Sequence, residues 1–347
     1  MNRHKKLWFQ GFVASTNLLN ESVLQPAGDL LVGGQAVIEG VMMRSPHSFA
    51  IAVHKDTGEV AVRKEPVPRV SEKYPLFKLP VFRGVGILGQ AFVLGMKAIK
   101  FSADQVLDSL ENAEAQKGKP SGGSPQTSEV KPNKSGEIGK WFIAVNAVLA
   151  TAFFIFLFKL LPLTAATYFQ DHSHWGENRI LFNLVDGLVR LLLFVGYIGG
   201  IGLWKEFRRL YEYHGAEHKV VYNFENGKPL TVENARQYST LHPRCGTSFL
   251  LTVMLVSIVV YTFIPFHSFG LKLLFRVLLL PVIMGLSYEV IKFSAKKPGS
   301  LFAMMTAPGL WLQKITTRPP SDAQLSIGIR ALEEALSLEH AFSSPKG

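Results

Sequence analysis

Four metal-capable side chains, His214, His218, His242 and Cys245, fall within one polar stretch of this chain, with Glu217 among them. They form two short strings, His214-Gly-Ala-Glu217-His218 and His242-Pro-Arg-Cys245, and the second holds the only cysteine. Imidazole and thiolate are ligands that first-row divalent metal ions take readily. Zinc is the first expectation for a mixed set, with iron and manganese as alternatives. If the preceding apolar span continues as a helix, His214 and His218 stand at i and i+4 and can reach one ion from one face. Glu217 is then a further ligand or the general base of a metal-dependent reaction, and the string matches the His-x-x-Glu-His form of inverted zinc proteases. A complete set of four protein ligands predicts a structural site, and three with an open position predict catalysis. The competing reading is that the histidines are solvated or bonded to backbone and that Cys245 is a small apolar residue at the start of a span.

The elements that must position these residues are mostly long and apolar. Runs at Trp141–Leu161 (extending toward Tyr168), Ile180–Trp204, Phe249–Phe266 and Leu271–Phe293 approach or exceed the ~20 residues that cross a bilayer. Lysine and arginine crowd the 205–248 segment and follow the last run at Lys296 and Lys297, whereas the 265–270 loop is uncharged. The positive-inside rule then puts both termini and the 205–248 segment in the cytoplasm and the two short loops outside. The expected fold class is an α-helical membrane protein with about four transmembrane helices and a small cytoplasmic α+β module containing a β-hairpin.

The hairpin is read from alternation on either side of a glycine turn at 49–63, with 30–44 as its pairing partner. The expected order is an N-terminal tail (1–28), the α+β module (29–113) and a disordered linker (114–138). A first transmembrane hairpin (139–204), the metal-binding segment (205–248), a second hairpin (249–293) and a cytoplasmic C-terminal segment (294–347) follow. Within the module residues 76–113 look helical, and inside them the apolar stretch 84–96 is too short for an ordinary span and predicts an interfacial or re-entrant segment. In the C-terminal segment, Ser321 and Gln324 suit a capping box, and Leu325, Ile329, Leu332 and Leu336 repeat at helical spacing. That face is expected to pack on the module, with a membrane-protein partner as the alternative.

Charges inside the apolar runs form the second signal. Asp186 and Arg190 stand at i and i+4 and can pair, which lowers the cost of burying either; a proton or substrate relay is the rival reading. Glu289 sits at the depth of the metal cluster and is a candidate to orient a ligand. The Gly33–Arg44 stretch lacks the Gly-Lys-Ser/Thr ending of a phosphate-binding loop and reads as strand–turn–strand, with Glu39 and Arg44 as candidates to dock on the metal segment.

Across 347 residues the net charge is +11 and 48% of residues are hydrophobic. No RNA or DNA motif accompanies the charge, so anionic lipid, not nucleic acid, is the expected basic-face partner. One cysteine excludes an intrachain disulfide framework. The apolar part of the N-terminal stretch is short and interrupted, so a cleaved signal peptide is not expected.

Three longer strings carry a resemblance. Gly-Gly-Gln-Ala-Val-Ile-Glu-Gly-Val-Met-Met-Arg at 33–44, Tyr-His-Gly-Ala-Glu-His-Lys at 213–219 and Leu-His-Pro-Arg-Cys-Gly-Thr-Ser-Phe at 241–249 resemble the bacterial YqhQ-like family, as does the stretch beginning at Pro308. The resemblance implies a multi-pass protein of the bacterial plasma membrane and the same candidate ligand positions, in a family described as predicted metal-dependent enzymes. It does not imply a particular reaction. Two functions follow: a metal-dependent hydrolase acting on a membrane-proximal substrate, or a non-enzymatic membrane assembly factor in which the cluster is structural.

Overall fold

The computed structural model describes residues 30–68, 70–117, 136–173, 178–266, 268–296 and 301–343. The expected N-terminal tail and the linker's 118–135 stretch lie outside them; the linker's flanks at 114–117 and 136–138 are helical. Four strands come first: β1 (Gly33–Val37), β2 (Gly40–Arg44), β3 (Ser48–His54) and β4 (Val60–Pro66). After short helical turns at Val70–Lys73 and Pro75–Lys78 come α1 (Phe82–Lys117), α2 (Gly136–Ile155), a π-helical turn at Phe156–Leu160, and α3 (Leu161–Asp171). The chain continues through α4 (Arg179–Ile201), α5 (Lys205–Glu225), α6 (Val232–Arg236), α7 (Gly246–Thr262), α8 (Phe269–Leu278) and α9 (Leu280–Lys296). The last two helices described are α10 (Leu301–Thr316) and α11 (Asp322–Ser343).

The strands form an antiparallel meander in the order β1-β2-β3-β4. The expected 49–63 hairpin is β3–β4, and its expected partner is itself the pair β1–β2. Strands β2 and β3 read as nearly continuous apolar runs because both of their faces are covered. Val41, Met43 and Ala52 turn to one side, where they join Tyr213, Ala216 and Val220 of α5 and Leu325 and Leu332 of α11. Met42, Phe49, Ile51 and Val53 turn to the other side and meet Leu94 and Ala98 of α1.

Helix α11 starts with the expected capping box: Gln324 N–H donates to Ser321 Oγ at 3.3 Å, and Ser321 N–H donates to Gln324 Oε1 at 2.8 Å. Its apolar stripe is buried in the module. Near its end Glu339 accepts Ser45 Oγ at 2.6 Å and the His47 N–H at 2.8 Å. The face considered for a partner is therefore occupied by the chain itself.

Among the described residues three helices are long and apolar enough to cross a membrane, at Phe82–Ser109, Val145–Asp171 and Arg179–Ile201. A fourth arises if α8 and α9, bent by 51° at Leu279, count as one span. Pro281 explains that break, since it lacks an N–H and its ring opposes the carbonyl one turn back. Two expectations change. The helix expected over 76–113 is α1, 36 residues long. Its 84–96 stretch is not a short segment by itself but part of the Phe82–Ser109 length, within which Lys97 pairs with Glu65 at 3.0 Å. The run from Phe249 forms only a 17-residue helix, α7.

Contacts divide the chain into two compact units: Met1–Leu110 with Val195–Ser257 and Leu279–Gly347, and Glu111–Phe194 with Ile258–Leu278. Within the second, Asp186 is fully buried and pairs with Arg190, as its spacing predicts, and also with Arg276 of α8. Arg190 Nε also donates to the Phe158 carbonyl at 3.2 Å, and Arg276 donates to Asn183 Oδ1 at 3.0 Å. Lys159 donates to the Tyr261 hydroxyl at 2.8 Å, and that hydroxyl donates to the Arg276 carbonyl at 3.1 Å. One carboxylate thus holds two guanidinium groups away from water. Removing one partner of such a buried set leaves uncompensated charge, so Asp186→Asn is expected to cost about 3–5 kcal/mol. Thermal unfolding of the detergent-solubilised protein checks this, and an unchanged midpoint would contradict the arrangement.

Candidate metal centre

Helix α5 carries His214-Gly-Ala-Glu-His218. It is not a continuation of α4, because the chain breaks at Gly202–Trp204 and Trp204 is extended. A Cβ on Gly202 would meet the Tyr211 ring at 2.8 Å, and Tyr211 donates to the Ile198 carbonyl at 2.9 Å. The i, i+4 relation survives the break because it needs only α5 itself.

Both imidazoles are oriented by backbone carbonyls. His214 Nδ1 lies 2.8 Å from the Thr316 carbonyl, and His218 Nδ1 is bonded to the Thr240 carbonyl. A carbonyl can only accept, so each Nδ1 carries a proton and the neutral form of each ring presents its lone pair at Nε2. His214 Nε2 lies 3.1 Å from Cys245 Sγ. His218 Nε2 is buried with no hydrogen-bond partner, although Glu217 Oε2 lies 3.4 Å away. One ligand atom from each of His214, His218 and Cys245 falls within 4.8 Å of the others. Cys245 immediately precedes α7, where its sulfur accepts the Thr247 N–H at 3.4 Å.

Burial sets the protonation states. Desolvation lowers the His218 pKa and pushes that of His242 down to about 4, so both rings are neutral at pH 7, as metal ligation requires. Desolvation raises the Glu217 carboxyl, opposed by His214, His242 and the Gly34 backbone N–H. Strand β1 approaches so closely that a Cβ on Gly34 would stand 3.0 Å from Glu217 Cγ and 2.4 Å from the Met42 carbonyl.

Of the four ligands expected from the sequence, the structure brings three together and leaves His242 at one side. Its ring centroid is 5.6 Å from that of His218. However, its Nδ1 accepts the Arg244 N–H at 3.3 Å, and its Nε2 faces Glu225 Oε2 at 3.3 Å. Glu225 also pairs with Arg244. Glu289 is also elsewhere, accepting Arg83 Nε at 2.6 Å and the Val81 N–H at 3.3 Å. Glu39 docks on α5 through Arg209 at 2.5 Å, whereas Arg44 reaches Gln90 on α1 at 2.6 Å.

Sequence reasoning missed Gln313 of α10. Fully buried, it accepts the His242 N–H at 2.7 Å and donates to the His242 carbonyl and to Ser248 Oγ, each at 2.8 Å. It ties the Cys245 loop to α10. Only the resemblance around Pro308 pointed to this region.

The model of a family described as "Protein of unknown function (DUF1385)" matches residues 79–338. The chain belongs to that family. It is 33% identical over 312 residues to "Uncharacterized protein YqhQ" of Bacillus subtilis (strain 168), covering 88% of this chain and 92% of that relative. No solved structure matches.

Gly215 lies where α5 meets the segment after α10. A Cβ there would stand 2.1 Å from the Arg318 carbonyl, while the Arg318 N–H donates to the Tyr211 carbonyl at 2.9 Å. Gly215→Ala is therefore expected to push residues 316–318 away from His214 and cost about 1–3 kcal/mol by overpacking. Gly196→Ala, with nothing within 4 Å of the added carbon, serves as control. Equal unfolding midpoints for the two variants would refute the contact.

Proposed function

We propose that this chain is a multi-pass protein of the bacterial plasma membrane that holds a divalent ion, zinc first, among His214, His218 and Cys245. Both termini and the 205–248 segment lie on the cytoplasmic side in this reading, supported by the lysines and arginines gathered there. The observation that carries the metal is the buried, unpartnered Nε2 of His218, within 4.8 Å of an imidazole nitrogen and a sulfur. A buried polar atom without a partner costs about 1–3 kcal/mol, and coordination removes that cost. The donor set fits: two imidazoles, each with its Nδ1 on a carbonyl, and one sulfur.

With His242 committed to Glu225, three protein ligands remain, the number that marks a reactive site and not a closed structural one. A bound divalent ion would supply Lewis-acid polarisation of a scissile bond. Glu217 would act as general base, its Oε2 beside the ligand group and its position fixed by the Gly34 N–H. Hydrolysis of a membrane-proximal substrate is the reaction class this supports. A second reading has one observation in its favour: His214 and His218 tie α5 to two separate segments, through Thr316 and Thr240. On that view the ion is a staple in a non-enzymatic assembly factor.

Elemental analysis of protein purified without chelators is expected to find about one ion per chain, lost in His218→Ala. Metal-free wild-type protein would end both readings. Glu217→Gln separates them: the catalytic reading expects metal content and unfolding midpoint to persist while complementation of a deletion strain is lost. Full complementation by that variant favours the staple.

A further inference from the structure

Within the first unit lies a cavity of about 650 Å³, in the size range of small-molecule sites. Its walls are mostly apolar and come from β1, β2, α1 and α9, with Met42, Ile87 and Leu94 among them. Four cations line it, Arg44, Lys78, Arg83 and Lys292, and no aspartate or glutamate is among the described lining residues. Glu289 neutralises Arg83 and is further held by the Val81 N–H. Arg44 donates to the side-chain oxygen of neutral Gln90 at 2.6 Å. The ammonium groups of Lys78 and Lys292 make no hydrogen bond or ion pair among the described residues.

An apolar pocket with surplus positive charge selects an anion that carries hydrocarbon. Two of the bordering helices belong to apolar stretches long enough to cross a membrane, α1 alone and α9 together with α8. Beside Ala91 in the cavity wall, Phe92 of α1 is 71% exposed, and Val93 and Met96 are exposed as well. The apolar surface thus continues outward from the cavity along that helix. The close packing that shapes the pocket is built in by glycines. A Cβ on Gly84 would meet Tyr288 at 2.8 Å, one on Gly285 the Val81 carbonyl at 2.5 Å, and one on Gly86 the Phe77 ring at 2.7 Å.

We infer that this cavity binds the phosphate head and first methylenes of an anionic membrane phospholipid. Lys78 and Lys292 meet the phosphate, and the α1 wall meets the hydrocarbon. The inference rests on the membrane reading above but not on the metal.

The test uses the full chain in detergent with phosphatidylglycerol, phosphatidylcholine or inorganic phosphate, and bound lipid is read by native mass spectrometry. Phosphatidylglycerol is expected to bind in preference to phosphatidylcholine and to persist against excess inorganic phosphate. Lys78→Glu with Lys292→Glu removes the phosphate partners, and Ala91→Trp fills the cavity without changing charge. Each is expected to weaken phosphatidylglycerol binding about tenfold or more. The pair Lys55→Glu with Lys228→Glu changes net charge equally at residues that do not line the cavity. It is expected to leave binding within about twofold, since surface charges without direct contact are screened. Metal content, measured in the same samples, is expected to stay at the wild-type level in every variant. Displacement of the lipid by inorganic phosphate, an equal loss in the control pair, or unchanged binding in a folded Ala91→Trp protein would each overturn the inference.

Discussion

Two backbone carbonyls decide the chemistry of the α5 cluster. By accepting the Nδ1 protons of His214 and His218, Thr316 and Thr240 select the tautomer in which the neutral ring presents its lone pair at Nε2. Without those bonds the rings could turn or adopt the other tautomer, and their spacing would mean little. Three separate parts of the chain must therefore arrive together: α5, the 240–245 loop and the segment after α10. Gly215 lets the third approach to backbone distance, and Gln313 holds the second against α10 from both its amide atoms. The fold around the cluster is largely a device for fixing two hydrogen bonds.

The same arrangement explains why the α5 cluster and the Asp186 set differ in kind. Asp186, Arg190 and Arg276 satisfy one another, with Asn183 and a backbone carbonyl taking further protons. A buried set so completed locks helices and offers no open valence. In the α5 cluster His218 and Cys245 are buried and His214 is half-buried, yet His218 Nε2 has no hydrogen bond and faces other electron-pair donors. Lone pairs gathered in low dielectric repel one another unless a cation or a proton lies between them. Cys245 Sγ lies 3.1 Å from His214 Nε2, and His218 Nε2 is left without a hydrogen bond.

What the sequence disclosed follows from how local each signal is. The i, i+4 spacing of His214 and His218 is a property of one helix and was readable, as were the Asp186–Arg190 pair and the Ser321–Gln324 capping box. The β3–β4 hairpin was readable because alternation and a glycine turn coincide in 15 residues. His242 was a natural fourth ligand by proximity to Cys245, but its orientation is set by Glu225 and the Arg244 backbone, which no spacing rule reports. Gln313 was invisible for the same reason: its partners are 65 and 71 residues away. Helix α10 was hidden by Pro308, which reads as a breaker yet sits inside the helix. A long helix over 76–113 was readable, but the extent of its apolar part was hidden by Lys97, whose charge reads as the end of that part until its pairing with Glu65 is seen.

Strand β1 relates the two sites described. Gly34 borders the lipid-sized cavity and also supplies the N–H that reaches Glu217. No side chain could serve there, since a Cβ would strike the Met42 carbonyl, Met43 Sδ and Glu217 Cγ, all within 3.0 Å. A bare backbone is thus the only separation that keeps the carboxyl hydrogen-bonded and the cavity open at the same residue. The close approach of cavity wall and carboxyl is in this sense a consequence of glycine chemistry.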